Sequence, residues 1–164
     1  MSSSTAKSAD YPDIDPANQG GGYSVVYDDS FVSASQKTGV PFALIKAHAI
    51  RESSLDGGAY HYDNPKSGAS YGLMQVEWVK GTNRLAQFGY PDDKLTDGSL
   101  LYDFDTNAFL GASIIKQNLD RFGNLRDAIN AYNTGATEAK HQAPANYVDD
   151  VVKYYSALVN RAVT

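Results

Sequence analysis

The 164-residue sequence contains no cysteine. That absence excludes a disulfide framework, a thiolate zinc site and a cysteine nucleophile, and it suits work outside the cytoplasm. No apolar run approaches the ~18 residues that a membrane span requires. Basic residues are outnumbered, 14 Lys and Arg against 19 Asp and Glu, for a net charge of −5. In residues 1–30 Lys7 stands alone against Asp10, Asp13, Asp15, Asp28 and Asp29, a balance of −4 that leaves −1 for residues 31–164. A nearly neutral domain without a basic stripe argues against nucleic acid or an anionic membrane as partner. The first residues lack a basic start followed by an apolar stretch, so no secretory signal is visible.

What is present is a chain for one domain, 42% apolar and 20% charged, enough to bury a core. Residues 1–29 are rich in Ser, Asp, Pro and Gly and lack apolar periodicity. They read as a flexible N-terminal arm or linker, or as a boundary piece of a larger protein, ahead of a folded domain at 30–164. A short helix is expected from Asp29 or Ser30 to Lys37. Pro41 then suits the first turn of a helix, FALIKAHAIRES, whose nearly continuous apolar content marks it as the buried central helix. Residues 54–71 have loop chemistry with room for a small hairpin. Phe104, Ala108, Ala112, Ile115, Leu119 and Phe122 recur at steps of three and four, and Gly123 stops that helix. Asn124 with Asp127 resembles a capping pair for a helix to about Tyr132. A last helix begins near Ala145. The fold class is therefore mainly α, with at most a small β-hairpin.

Three segments offer chemistry. Glu52 ends the apolar run of the central helix, where partial desolvation and the negative end of the helix dipole both favour its protonated form. Its position alone also fits a solvated helix-end residue or a partner of Arg51. Gly72-Leu73-Met74-Gln75-Val76 joins a conformationally free glycine to an amide among apolar neighbours, which fits either contact with an amide-bearing sugar or a buried turn. Ala131-Tyr132-Asn133-Thr134-Gly135 sets an aromatic and an amide at a helix C-terminus. Tyr60, Tyr62 and Tyr71 fit either stacking on sugars or ordinary packing. His48, His61 and His141 have no metal spacing and read as structural or exposed, and no metal or organic cofactor is expected.

Arg51-Glu52-Ser53, then GLMQV at 72–76, AYNTG at 131–135 and Asn146-Tyr147-Val148 together resemble the goose-type lysozymes and soluble lytic transglycosylases of glycoside hydrolase family 23. The order and rough spacing match over residues 40–157. The resemblance implies a lysozyme-like α+β fold that cleaves the β-1,4 bond between N-acetylmuramic acid and N-acetylglucosamine in bacterial peptidoglycan. Glu52 then takes the place of the catalytic acid, and Ser53 follows it as in the family. Gly72, Met74 and Gln75 match the wall of the glycan groove, Tyr132 and Asn133 match the pair beside the acid, and Tyr147 matches a later site tyrosine.

The two halves of that family differ in how the bond is broken. An inverting hydrolase needs a second carboxylate ~6.5–9.5 Å from the acid to activate water. Glu77, directly after GLMQV, and Asp63, in the preceding loop, are the candidates, and they tip the expectation slightly toward hydrolysis. A lytic transglycosylase needs no such partner, because the C6 hydroxyl of the muramoyl residue attacks intramolecularly. Rival readings are an inactive wall-binding or virion-structural module and a chitin-cleaving enzyme. The expected site of action is extracytoplasmic, at the cell wall, reached as a phage lysin, part of a phage tail protein or part of a secreted protein.

Overall fold

A computed structural model describes residues 10–19, 22–135 and 143–163. Among these, six α-helices run in the order α1 (Asp28–Thr38), α2 (Phe42–Ser53), α3 (Asp92–Leu95), α4 (Phe104–Phe122), α5 (Leu125–Thr134) and α6 (Tyr147–Val159). Between α2 and α3 lies an antiparallel sheet of β1 (Tyr60–Asn64), β2 (Gly68–Tyr71) and β3 (Val76–Trp78) in sequential order. The expected hairpin is thus extended by a third strand. Three residues of VEW are too short a run for alternation to reveal, and only the paired strand β2 makes them a strand.

Helix α2 is the hub. Every residue from Phe42 to Ile50 is buried, and the helix packs against α1, α4 and α6. A helix enclosed on all sides must satisfy any polar side chain internally. Lys46, fully buried, does so through Ser24 O and Asp28 Oδ1, both at 2.7 Å. The N-terminus of α2, which Pro41 cannot cap with a side chain, is capped from far away. Asp13 accepts from the backbone N–H groups of Phe42 and Ala43, at 2.9 Å each. Tyr11 and Ile14 lie against the core beside it, and the Tyr155 hydroxyl of α6 donates to Pro12 O. Residues 10–19, within the segment assigned to the arm, therefore contact the helical domain.

Local rules account for three further helix ends. Asp103 caps α4 by accepting from Thr106 N at 3.0 Å, and Asn124 caps α5 by accepting from Asp127 N at 2.9 Å. Gly123 stops α4 in the left-handed region (φ 72°), where glycine avoids the Cβ penalty. Helix α6 starts at Tyr147, two residues later than expected, and its N-terminal residue meets the end of α2.

Candidate active site

The C-terminal turn of α2 carries Arg51, Glu52 and Ser53, closed by Ser54 in the left-handed conformation. Ser53 Oγ donates to Leu73 O at 2.7 Å, which ties this turn to the loop between β2 and β3. That loop is held by a residue absent from the expected site, Asn107 of α4. Its Oδ1 accepts from Met74 N at 2.8 Å, and its Nδ2 donates to Tyr71 O at 2.7 Å and Leu101 O at 2.8 Å. The turn passes so close that a Cβ on Gly72 would lie 2.6 Å from Asn107 Nδ2, and Gly72 itself has φ +71°. Asn107 had a sequence signal: it stands three and four residues before Leu110 and Gly111 on a buried face of α4, where an amide must find partners.

Glu52 is part-buried, and burial pushes its carboxyl up to about 7. Two neighbours oppose that shift. The Tyr147 hydroxyl donates a hydrogen bond to Oε2, and the Arg51 guanidinium favours the ionised form. Arg51 is itself fixed, with Nε 3.1 Å from Asp150 Oδ2 and its guanidinium 5.0 Å from the centre of the Tyr147 ring. Burial holds the Tyr132 phenol protonated, the nearby Glu52 charge adds to that, and the hydroxyl donates to Met74 O at 2.6 Å. His48, one turn before Glu52 on α2, packs edge-on to Tyr132 with ring centres 4.9 Å apart. Burial pushes His48 down to about 4, so it is neutral, and its Nδ1 pairs with Leu44 O.

The other expected site residues separate into distinct settings. Gln75, at φ +49°, donates through Nε2 to Gly72 O and Ala59 O and lines a groove of about 220 Å³ with Glu77, Arg84, Tyr132 and Asn133. Glu77 is bound in an ion pair with Arg84. Asp63 is exposed on β1, where it accepts from Ser70 Oγ at 3.3 Å and lies 3.4 Å from His61 Nε2. Gly72 and Met74 are buried, with Met74 packed so closely on Gly111 that a Cβ there would approach it to 2.7 Å. His61 is exposed, and His141 lies outside the described residues. Among the described residues no cluster of His, Asp or Glu has the grouping of a metal site.

A part-buried, protonated carboxyl at the end of a central helix, whose last turn is tied to the loop of a small sheet, is the arrangement of a lysozyme-like glycan-cleaving domain. The transglycosylase SLT domain model matches residues 29–152, and the chain belongs to that family of peptidoglycan-degrading enzymes. Protein IpgF of Shigella flexneri is 26% identical over 127 residues, covering 77% of this chain and 79% of its own. The X polypeptide of Escherichia coli K12 is 29% identical over 132 residues, 79% of this chain and 74% of that one. Invasion protein IagB of Salmonella typhimurium is 25% identical over 130 residues, 79% and 77% of the two chains.

Two solved structures share the fold. Lytic transglycosylase Slt of Pseudomonas aeruginosa, solved as an inactive mutant, has a TM-score of 0.64 at 23% identity, covering 86% of this chain and 25% of that one. The 70 kDa soluble lytic transglycosylase of Escherichia coli has 0.56 at 22% identity, covering 84% and 21%. The chain spans a quarter or less of these larger structures.

Proposed function

We propose that this chain is a lytic transglycosylase that cuts the β-1,4 bond between N-acetylmuramic acid and N-acetylglucosamine, with Glu52 serving as acid and then as base. The observation that carries this reading is Glu52 itself: a part-buried carboxyl, protonated up to about pH 7, with a tyrosine hydroxyl on one oxygen. In the first step the bond from muramoyl C1 to O4 of the next sugar breaks, and Glu52 gives its proton to the departing O4. In the second, the muramoyl C6 hydroxyl oxygen bonds to C1 and its proton passes to the Glu52 carboxylate. The products are a 1,6-anhydromuramoyl end and a free O4 hydroxyl. The acid is restored and no water is consumed. A carboxyl near 7 is suited to both roles, since it gives and recovers a proton with little driving force either way. Ser53 and Tyr147 position it, Tyr132 lies near it, and Gln75, Tyr132 and Asn133 line the adjoining groove in this reading.

Hydrolysis is the second reading, and the place of Glu77 in the groove beside Gln75 favours it. Against it, the Glu77 carboxylate is taken up by its ion pair with Arg84, and Asp63 is engaged by Ser70 and His61. Mass spectrometry of unreduced fragments from purified peptidoglycan separates the two. Products one water lighter, with 1,6-anhydro ends, are expected. Reducing muramic acid ends would establish hydrolysis instead. Binding of sacculi without any fragment would point to a wall-binding module, and oligomers from chitin alone to the chitin-cleaving reading. The bacterial wall as substrate puts the proposed site of action outside the cytoplasm, and among the described residues no helix is long and apolar enough to cross a membrane.

A further inference from the structure

The three strands carry different chemistry on their two faces. The pairs His61↔Ser70 and Ser70↔Glu77 put these side chains on the face that continues into the groove beside Gln75. The pairs Tyr60↔Tyr71, Tyr62↔Ala69 and Ala69↔Trp78 put an aromatic band on the opposite face. That band opens on a separate cavity of about 510 Å³, within the range of small-ligand sites, and its lining shares no residue with the site built around Glu52. Tyr60 and Tyr62 are 54% and 56% exposed there. Tyr71 stands edge-on to Tyr60 with ring centres 5.4 Å apart, and Trp78 forms the floor, its indole N–H fixed on Asp92 at 2.9 Å. The rim is polar: Thr96, Asp97 and Lys80.

We propose that this aromatic groove is a second glycan-binding site, which holds a peptidoglycan strand on Tyr60 and Tyr62 while another strand occupies the groove beside Gln75. The proposal rests on the peptidoglycan reading above. A pyranose has an apolar C–H face and a rim of hydroxyl and amide groups, which an aromatic platform with a polar border complements on both counts. Charge matches as well. Strands of the wall carry lactyl and stem-peptide carboxylates for the Lys80 ammonium, while the Asp97 carboxylate accepts from hydroxyl and amide donors. Asp97 is already oriented by the backbone N–H of Ser99 at 3.0 Å. Strand β3 carries Glu77 of one groove and Trp78 of the other on opposite faces, so an insoluble network of parallel strands is the substrate form that engages both. Binding at two points raises residence on the wall without any new contact at the cleaved bond.

The test compares two substrates and one binding measurement. Tyr60→Ala/Tyr62→Ala in the Glu52→Gln background should bind purified sacculi about tenfold more weakly than Glu52→Gln alone. With Glu52 present, the double variant should degrade sacculi several-fold more slowly and cleave a soluble glycan of four sugars at the unaltered rate. Tyr60→Phe/Tyr62→Phe, which keeps both rings, should restore sacculus binding. Unaltered sacculus affinity in the alanine variant overturns the proposal, as does an equal loss on both substrates. Self-association that the alanine variant abolishes without changing sacculus affinity would assign the band to a second copy of the chain and also overturn it. If the wild type cleaves nothing yet sacculus binding depends on the two rings, the second site stands and the catalytic reading falls.

Discussion

The Tyr147 hydroxyl, on the first residue of α6, donates to Oε2 of Glu52 in the last turn of α2, joining residues 95 positions apart. This hydrogen bond favours the ionised carboxyl and restrains the upward shift that burial imposes. Tyr147→Phe should therefore raise the Glu52 pKa further. The alkaline limb of the rate profile moves above pH 7 in that variant, and turnover at neutral pH falls about tenfold as the carboxyl loses its orientation. A pH–rate profile of both proteins checks the direction.

Glu52→Gln should lower turnover by at least ~10³-fold with the fold intact, because an amide of the same shape cannot give a proton. The same substitution should stabilise the protein in alkali. Below pH 4.5 the carboxyl is protonated in the folded and unfolded chains alike. Between 4.5 and about 7 the unfolded chain has released the proton while the folded one retains it, so wild-type stability falls as pH rises. Above 7 the full cost, about 3 kcal/mol from the shift between those values, is present in the wild type and absent from the variant. Thermal melts at pH 4 and pH 8 should show the variant ahead only at the higher pH.

Glu77→Gln leaves the ring of groups around Glu52 untouched and removes the partner of Arg84. In the transglycosylase reading it should reduce turnover less than about tenfold, whereas loss of a water-activating base would reduce it by orders of magnitude. Steady-state rates on sacculi distinguish these outcomes.

Asn107→Ala should destabilise the fold by about 3 kcal/mol, since Met74 N and the carbonyls of Tyr71 and Leu101 lose their partner in a buried setting. Roughly 6–12 °C in Tm is expected for a domain of this size. Activity should fall further than stability alone explains, because the loop bearing Gln75 loses its anchor. Melting curves and rates measured well below the transition separate the two effects.

Lys46→Met leaves Asp28 buried beside Gln19 without its cation. Breaking one side of such a pair costs about 3–5 kcal/mol. Adding Asp28→Asn removes the stranded charge and should recover most of that loss in denaturant unfolding.

The amino-acid order by itself determined much of this protein. Pro41 before a nearly continuous apolar run marks α2 as Phe42–Ser53, Asn124 with Asp127 marks the start of α5, and Gly123 marks the end of α4. Each depends on interactions within about four residues of the chain, the range over which capping and helix periodicity act. The four motif blocks also named Glu52, Gln75 and Tyr132-Asn133 before any contact between them was known. What only the tertiary structure decided is how those blocks meet. Asp13 caps a helix about thirty residues onward, Asn107 holds a loop from another helix, Arg84 engages Glu77, and strand β3 exists because β2 lies beside it. The Glu52 carboxyl takes its proton affinity from burial among α2, the β2–β3 loop and α6, a property of packed volume rather than of neighbours in sequence. The two faces of the sheet were equally hidden, since alternation assigns sides only once the register Tyr60↔Tyr71 is fixed by pairing.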